Sequence, residues 1–244
     1  MNGTKPTSGK IKITNGTVDQ TSSSMTIGDY TVSYNSTKKT YEATGKGNTP
    51  QVEVLCTAKT AATTGNVPSG NYAYGDEYTC ELGDNDAKTF FVLETNGDNV
   101  SLIMDKNIDS NGKGTTSGNT VAWSSDGINH KDENVSAQAV TAKEYLKTST
   151  TGWTKLTESQ ISLPSYDQIY KAAGNKTEGL STWLYGNLDG SIPYCYWTST
   201  PNASDSSSAW SVQLGGTLGG GVGVGDGDGT GVRPVITVLK SQLG

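Results

Sequence analysis

The residues with the clearest potential for chemistry lie in a glycine-rich run between residues 219 and 231. Four of them follow the spacing of the first half of a calcium-binding loop: Asp226, Asp228, Thr230 and Gly231. The twelfth position of such a loop is normally a bidentate Glu, but here it is Thr237. The run also lacks the Lys of a phosphate-binding loop, and Pro234 follows too closely for the helix of a dinucleotide fold. We therefore expect neither a metal nor a cofactor.

Other catalytic residue types are sparse. His130 is the only histidine and lies in a polar stretch, which predicts a surface position. The three cysteines, Cys56, Cys80 and Cys195, allow one disulfide, and sequence alone cannot choose the pair. Cys56 and Cys80 are favoured because each adjoins an alternating apolar stretch, although a fully reduced chain stays open as an alternative. Because no known catalytic motif is present, we expect a protein that is not an enzyme.

Composition narrows the class of protein. The chain has 244 residues, a net charge of −6, 31 glycines and only 32% hydrophobic residues, a balance that favours a β-rich, loop-rich extracellular protein. The acidic charge argues against nucleic-acid binding, since no basic patch could displace phosphate counterions. No apolar run is long enough to span a membrane.

The elements that must position these residues are mostly short strands. Two hairpins are predicted, one across residues 30–44 and one across residues 89–104, where Asn96-Gly97 signals the turn. Helices are predicted over residues 137–148 and 165–173, the second with Ser165 and Gln168 spaced as a capping box. Strands, two helices and then further short strands and long loops predict an α+β fold.

The C-terminal motifs resemble a known family. Their signature residues are Trp183-Leu184-Tyr185, Tyr196-Trp197-Thr198-Ser199-Thr200-Pro201, Ala209-Trp210 and Gly231-Val232-Arg233-Pro234-Val235. Residues 75–243 resemble the variable proteins of diversity-generating retroelements, which share a C-type-lectin fold of the formylglycine-generating-enzyme type. The N-terminal strands, with Gly28-Asp29-Tyr30, resemble a type IV pilin that lacks its hydrophobic helix. The resemblance implies a pilin-like β segment at residues 1–58 and a lectin-type ligand-binding domain at residues 59–244.

The family resemblance also implies which residues vary. Reverse transcription that randomises adenines in AAC codons cannot create Lys, Glu, Met, Trp or Gln, and residues 179–238 contain no Lys, Glu or Met. The implied variable, ligand-binding positions are Tyr194, Cys195, Tyr196, Asn202, Asp205, Ser207, Ser211, Gln213, Gly215, Thr217, Gly220, Val222, Val224, Asp226, Asp228 and Thr230. Gln213 departs from the codon rule. The implied fixed scaffold is Trp183, Trp197, Trp210 and Arg233.

Strand alternation refines this expectation. Successive side chains of a strand point to opposite faces, so Trp210, Val212 and Leu214 are predicted to face the core, and Ser211 and Gln213 the solvent. Trp197 is predicted to pack inward, with residues 194–196 approaching the surface rim.

The leading functional hypothesis is a binding protein displayed on a cell surface or pilus, with a protein or glycan ligand on another cell, a phage or a host. Other pilin subunits are possible partners, and membrane anchoring is expected only through a missing N-terminal helix. Two alternatives stay open: a structural minor pilin without a ligand, and an oxidase related to the formylglycine-generating enzyme. A flexible glycine-rich loop would also explain the lack of Lys and Glu.

Overall fold

The chain divides into two compact units, Met1–Val52 and Glu53–Gly244. A computed structural model describes five strands and Thr37 in the first unit, and in the second unit residues 53–59, 72–117, 119–131, 141–188, 192–225 and 229–244. Of the predicted site residues, Asp226 and Asp228 lie outside the described part of the chain.

The first unit is built from short antiparallel strands: β1 Lys12–Thr14, β2 Thr17–Asp19, β3 Ser24–Ile27, β4 Tyr30–Asn35 and β5 Thr40–Gly45. β1 pairs with β2, and β3, β4 and β5 form a three-stranded sheet in that order. The predicted hairpin across residues 30–44 is confirmed, with Tyr34 opposite Tyr41.

The second unit contains the remaining elements of the described chain. Its strands are β6 Cys56–Ala58, β7 Glu77–Glu81, β8 Ala87–Asn96, β9 Asn99–Met104, β10 Asn107–Ile108, β11 Gly114–Thr115, β12 Ile161–Ser162, β13 Cys195–Pro201, β14 Ser208–Gln213, β15 Thr217–Gly223, β16 Thr230–Gly231 and β17 Val235–Leu239. Its helices are α1 Thr141–Ser149, α2 Tyr166–Ala172 and α3 Thr182–Tyr185, with 3₁₀ turns at Glu158–Gln160 and Lys240–Gln242. The fold is therefore α+β, as predicted.

Six strands form the main antiparallel sheet, in the order β12-β17-β9-β8-β7-β6. β8 and β9 form the second predicted hairpin, in which Asn96 lies opposite Asn99 across a two-residue turn. Gly97 in that turn has a φ of +59°, a left-handed conformation that glycine adopts without strain.

The unit boundary at Val52 lies earlier in the chain than the predicted boundary at residue 58. The physical reason is that β6 pairs with β7 and so belongs to the larger unit. Cys56 and Cys80 lie opposite each other in this pair and are joined by a disulfide, the pairing that the sequence favours.

The main sheet is buried on both faces. Phe90, Val92 and Leu102 point into one apolar cluster, whereas Leu93 and Ile103 point into a second cluster that includes residues of α2 and α3. Close packing on both faces makes this sheet a rigid base for the elements that pack against it.

Helix α2 begins at the predicted cap, and α1 ends close to its predicted end. The Ser165 hydroxyl accepts a hydrogen bond from the Gln168 amide (3.1 Å), and the Gln168 side-chain oxygen accepts one from the Ser165 amide (3.0 Å), which confirms the capping box. α1 is described from Thr141 to Ser149, one residue beyond the predicted end. Residues 132–140, which include the predicted start of α1, lie outside the described chain.

Candidate functional site

The C-terminal motifs form a four-stranded sheet in the order β15-β14-β13-β16. β14 is antiparallel to both β13 and β15, and β16 runs parallel to β13. Residues 202–207 connect β13 to β14 at one end of the sheet, and residues 214–216 connect β14 to β15 at the other. The described positions of the predicted variable set therefore lie on this sheet or directly beside it.

Two buried tryptophans fix β13 to the segment at residues 121–123. The indole Nε1 of Trp197 donates to the Val121 carbonyl oxygen (2.6 Å), and that of Trp123 donates to the Thr198 carbonyl oxygen (2.9 Å). Both side chains are almost completely buried. Because a buried indole N–H normally needs a partner, these reciprocal bonds favour a single arrangement of the two segments. Trp197 therefore packs inward, as predicted.

Arg233 is a second anchor, and it is completely buried. Its Nη1 donates to the Leu184 carbonyl oxygen (2.9 Å), and the same carbonyl accepts from the Tyr196 hydroxyl (2.9 Å). The guanidinium lies 4.4 Å from the centre of the Tyr196 ring. Burial lowers the pKa of Arg233, while the nearby Tyr196 and Asp105 oppose that change. These contacts tie β13 and the segment after β16 to helix α3.

The other two predicted scaffold residues are half-buried aromatic contacts. Trp210 lies 4.5 Å from the Tyr166 ring of α2, between ring centres, and Tyr166 stacks on Tyr170 at 5.5 Å. Trp183 lies 5.8 Å from the Phe91 ring. Both tryptophans therefore connect helices to strands at the margin of the second apolar cluster.

Five predicted ligand contacts are buried instead of exposed: Cys195, Tyr196, Ser211, Val224 and Thr230. Each is at most 3% exposed. The predictions that Ser211 faces solvent and that Leu214, which is 45% exposed, faces the core are both wrong. Ser211 is buried because the centre of the sheet is covered on both faces, by the cluster of Trp197 on one side and by that of Val212 on the other. Leu214 is exposed because it lies beyond the end of β14, in the connection to β15.

The remaining described positions are exposed or half-buried and form two groups at opposite ends of the sheet. The turn-end group is Tyr194, Gln213, Gly215 and Thr217. The loop-end group is Asn202, Asp205, Ser207, Gly220 and Val222. The six residues of β14 separate the groups by about 20 Å, taking the ordinary rise per strand residue.

The loop-end group is held by a residue that sequence reasoning missed. Asn129 is fully buried, and its side-chain amide donates toward three carbonyl oxygens, those of Asn202 (2.9 Å), Asp205 (2.7 Å) and Ser208 (2.6 Å). Its backbone amide also donates to the Ser206 carbonyl oxygen (2.7 Å). Asn129 lies in a polar stretch without periodicity, so the sequence contains no signal that could have identified it.

Charge at the loop end comes from Asp205 and Asp126 and from Lys131, whose Nζ donates to the Ala203 carbonyl oxygen (2.5 Å). The Asp205 carboxylate accepts bonds from the Ser208 hydroxyl (2.5 Å), the Ser207 hydroxyl (2.7 Å) and the Ser207 amide (2.9 Å), which lower the pKa of Asp205 to about 2. His130 is buried beside the Asp126 carboxylate, with a ring nitrogen 2.9 Å from an oxygen, so the prediction of a surface histidine is wrong. The loop end is therefore polar and carries charges of both signs.

The turn end is apolar by contrast. Ile192, Tyr194 and Leu214 are 61%, 42% and 45% exposed. The Leu214 amide donates to the Tyr194 carbonyl oxygen (2.9 Å), so two of these side chains are held close together. The Tyr194 ring lies directly against Gly229, which has a φ of +75° and leaves no room for a Cβ.

The cysteines do not form a reactive pair. Cys56 and Cys80 are joined in the disulfide, and Cys195 is free and buried. Burial raises the pKa of the Cys195 thiol to about 11, so the neutral thiol predominates at ordinary pH. This state is the opposite of the activated thiolate that thiol chemistry requires.

The described residues contain neither a metal-binding cluster nor a membrane-spanning helix. Among the residues that the structure describes, no three acidic, histidine or cysteine side chains are grouped to hold a metal ion. No helix in that part of the chain is long and apolar enough to cross a bilayer. Comparisons with protein-family models, with curated proteins and with solved structures find no match to this chain.

Proposed function

We propose that this protein is a ligand-binding protein displayed on a cell surface or pilus, whose C-terminal domain has a C-type-lectin fold of the formylglycine-generating-enzyme type and a variable binding face. The binding face consists of the turn-end and loop-end groups of the four-stranded sheet. The pilin-like N-terminal segment attaches the domain to the surface or filament. The ligand is a protein or glycan on another cell, a phage or a host.

One observation carries this proposal. Buried anchors lie beside exposed small residues in the sheet and its connections. Trp197 of β13 and Arg233 after β16 are completely buried, whereas Asp205, Ser207 and Gly215, in the connections that flank β14, are exposed. Exposed side chains can be exchanged without loss of the core, because surface substitutions usually change stability by less than about 0.5 kcal/mol. A rigid scaffold with exchangeable surface positions is the arrangement that variable recognition requires.

The dimensions and chemistry of the face support a macromolecular ligand. Two groups about 20 Å apart match the width of a typical protein–protein contact, which buries about 800 Å² on each partner. Tyr194 and Leu214 supply apolar area at one end, and Asp205 supplies an ionised carboxylate at the other. Since glycine and serine occupy much of the space between them, we expect weak binding, or binding made largely by backbone atoms.

The test is to sequence this gene, with its flanking DNA, in many cells of one strain. We expect substitutions at codons of the turn-end and loop-end groups, a near-repeat of the region, and a neighbouring reverse-transcriptase gene. Codons for Trp183, Trp197, Trp210 and Arg233 should be invariant. Buried Cys195, Tyr196, Ser211, Val224 and Thr230 should either be invariant or change only to residues of similar size.

An invariant region with no repeat and no reverse transcriptase would refute diversification. Binding can be measured separately, by exposing the labelled full chain to a glycan array and to intact bacterial cells. A triple variant, Asp205→Ala, Tyr194→Ala and Thr217→Ala, keeps the buried anchors. It should lose any binding that depends on this face.

A further inference from the structure

β15 is the outermost strand of the four-stranded sheet, and within the described residues only its start is paired on the outer side. At its start, the Leu218 amide donates to the Thr177 carbonyl oxygen (2.7 Å), and Thr217 forms an antiparallel bridge with Glu178. Beyond Leu218, residues 219–223 have no backbone partner in the described chain other than β14, although the Gly220 carbonyl oxygen accepts from the Asn202 side-chain amide (2.6 Å). Within the described chain, Thr177 and Glu178 therefore pair with the start of β15, and no strand pairs with the rest of this edge.

The other sheet edges of the larger unit's described part are covered or very short. The edge of β6 is covered by the C-terminal residues, since Gly244 exchanges bonds with Cys56 (2.8 Å) and Ala58 (2.7 Å). β12 and β16 each have only two residues. The Thr230 carbonyl oxygen of β16 also accepts from the Val121 amide (2.9 Å). β15, with seven residues, is the exception.

β15 lacks two of the usual protections of an exposed edge, although its pairing register with β14 shifts between Ala209 and Ser211, as at a β-bulge. Soluble proteins also discourage edge pairing with prolines or charged residues, and residues 217–223 contain neither. Gly221 and Gly223 are exposed, and a Cβ at either position would meet no atom within 4 Å. An incoming main chain could therefore approach without steric hindrance.

The direction of the backbone groups follows from the pairing register. The Val224 amide donates to the Ser207 carbonyl oxygen (2.9 Å), so it points toward β14. Because directions alternate along a strand, the N–H and C=O groups of Gly223, which lies opposite Ser208, point away from β14. Gly223 therefore presents a donor and an acceptor at the outer edge, and no backbone group of the described residues pairs with them.

We propose that the free edge of β15 is a docking site for an extended peptide segment of a partner protein, which adds to the sheet as a fifth strand beside residues 219–223. An extended main chain can satisfy outward strand donors and acceptors such as those of Gly223 and continue along the edge. Pairing would continue the line that Thr177 and Glu178 already occupy. The inference goes beyond the proposed function, because main-chain pairing does not depend on whether the surrounding side chains vary.

Trp210 supplies a side-chain contact for such a segment. Its ring lies over Gly220, 3.0 Å from the place where a Cβ would be, and it is only half-buried. An apolar or aromatic residue of the added strand, on the same face as Trp210, could reach this ring across the glycine. We expect peptides that bind here to carry one such residue among small neighbours.

A second copy of the chain fits this edge less well. Stable interfaces bury roughly 1,200–2,000 Å² in total, and the few free residues of β15 supply little side-chain area because most of them are glycine. A flexible peptide can follow the edge and also contact Trp210, whereas a rigid two-fold copy would need further surface. This difference is the reason for choosing a partner peptide.

The experiment uses phage-displayed random 12-residue peptides selected against the full chain, followed by calorimetric binding of the best synthetic peptide. Two matched variants test the mode of binding. Gly223→Ala keeps the outward N–H, whereas Gly223→Pro removes it, and neither adds a clash at the Cβ position. We expect Gly223→Ala to bind like the parent and Gly223→Pro to bind about tenfold more weakly or worse. Thermal unfolding of each variant checks that it is folded.

Hydrogen exchange on the parent gives a second readout that needs no substitution. Bound peptide should slow exchange of the Gly223 amide. The proposal is overturned if no peptide is enriched, if the Gly223→Pro chain binds as tightly as the parent, or if protection appears elsewhere. It is also overturned if light scattering shows a parent dimer that Gly223→Pro dissociates, since the occupant would then be a second copy. None of these results depends on the gene-sequencing test, so the two proposals can fail separately.

Discussion

Replacing Trp197 tests whether the four-stranded sheet is a rigid scaffold. The side chain is completely buried, and truncating a buried tryptophan to alanine typically costs about 3–5 kcal/mol. Loss of the indole N–H also leaves the Val121 carbonyl oxygen without its 2.6 Å partner, which adds about 1 kcal/mol or more. Since small domains are stable by only about 5–15 kcal/mol, Trp197→Ala should remove a large part of the stability of the second unit.

The assay is urea unfolding followed by tryptophan fluorescence. All five tryptophans lie in the second unit, so the signal reports that unit, and four remain in the variant: Trp123, Trp153, Trp183 and Trp210. Thr217→Ala is the matched control at an exchangeable position and should change stability by less than about 0.5 kcal/mol. Trp197→Phe should fall between the two. A loss below about 1 kcal/mol for Trp197→Ala would refute the scaffold role and the separation of fixed from variable positions.

Three further outcomes follow from burial, hydrogen bonding and the disulfide. Because burial raises the pKa of Cys195 from 9.0 to about 11, the folded state holds this proton more tightly than the unfolded state. The free energy of unfolding, measured by urea titration, should therefore fall as pH rises between those values, and it should fall less in Cys195→Ala. Because the pKa of Asp205 is lowered to about 2, its stabilising effect should be complete above pH 4 and lost as pH falls toward 2; an NMR titration should show a higher Asp205 pKa in Ser208→Ala. Replacing Cys56 and Cys80 by serine opens a link between residues 24 apart in sequence and should cost about 3 kcal/mol in thermal unfolding.

Local sequence signals identified the parts of the fold that depend on local physics. Asn96-Gly97 located the β8–β9 hairpin, and Ser165 with Gln168 located the start of α2, because turn geometry and helix capping are decided by a few adjacent residues. The compact unit that contains the sheet begins at Glu53, since the pairing of β6 with β7 places Cys56 in it. The predicted domain boundary at residue 58 rests on the family resemblance, because pairing between strands far apart in sequence is not decided by adjacent residues.

The candidate site was predictable in outline only. Trp197 and Arg233 were expected as fixed scaffold because they belong to the motifs that carry the family resemblance, and both are completely buried. Alternation misassigned Ser211 because it assumes one solvent face, whereas both faces of the sheet centre are covered. Asn129 could not be found at all, since its function depends on three carbonyl oxygens far away in sequence.

Substitutions at Ser211 test whether the variable face stops at the two ends of the sheet or extends across its centre. Its hydroxyl is fully buried and has no hydrogen-bond partner among the residues that the structure describes. In the sheet register Ser211 lies between Trp197 of β13 and Gly219 of β15. An unpaired buried hydroxyl is destabilising, so Ser211→Ala should leave stability unchanged or raise it by about 1 kcal/mol. Ser211→Tyr has no space beside Trp197 and should lose at least 2 kcal/mol, within the usual range for overpacking. Urea unfolding of both variants decides the matter: a tyrosine tolerated at position 211 would mean that this side chain reaches solvent, as alternation predicts, and that the variable face extends across the centre of the sheet.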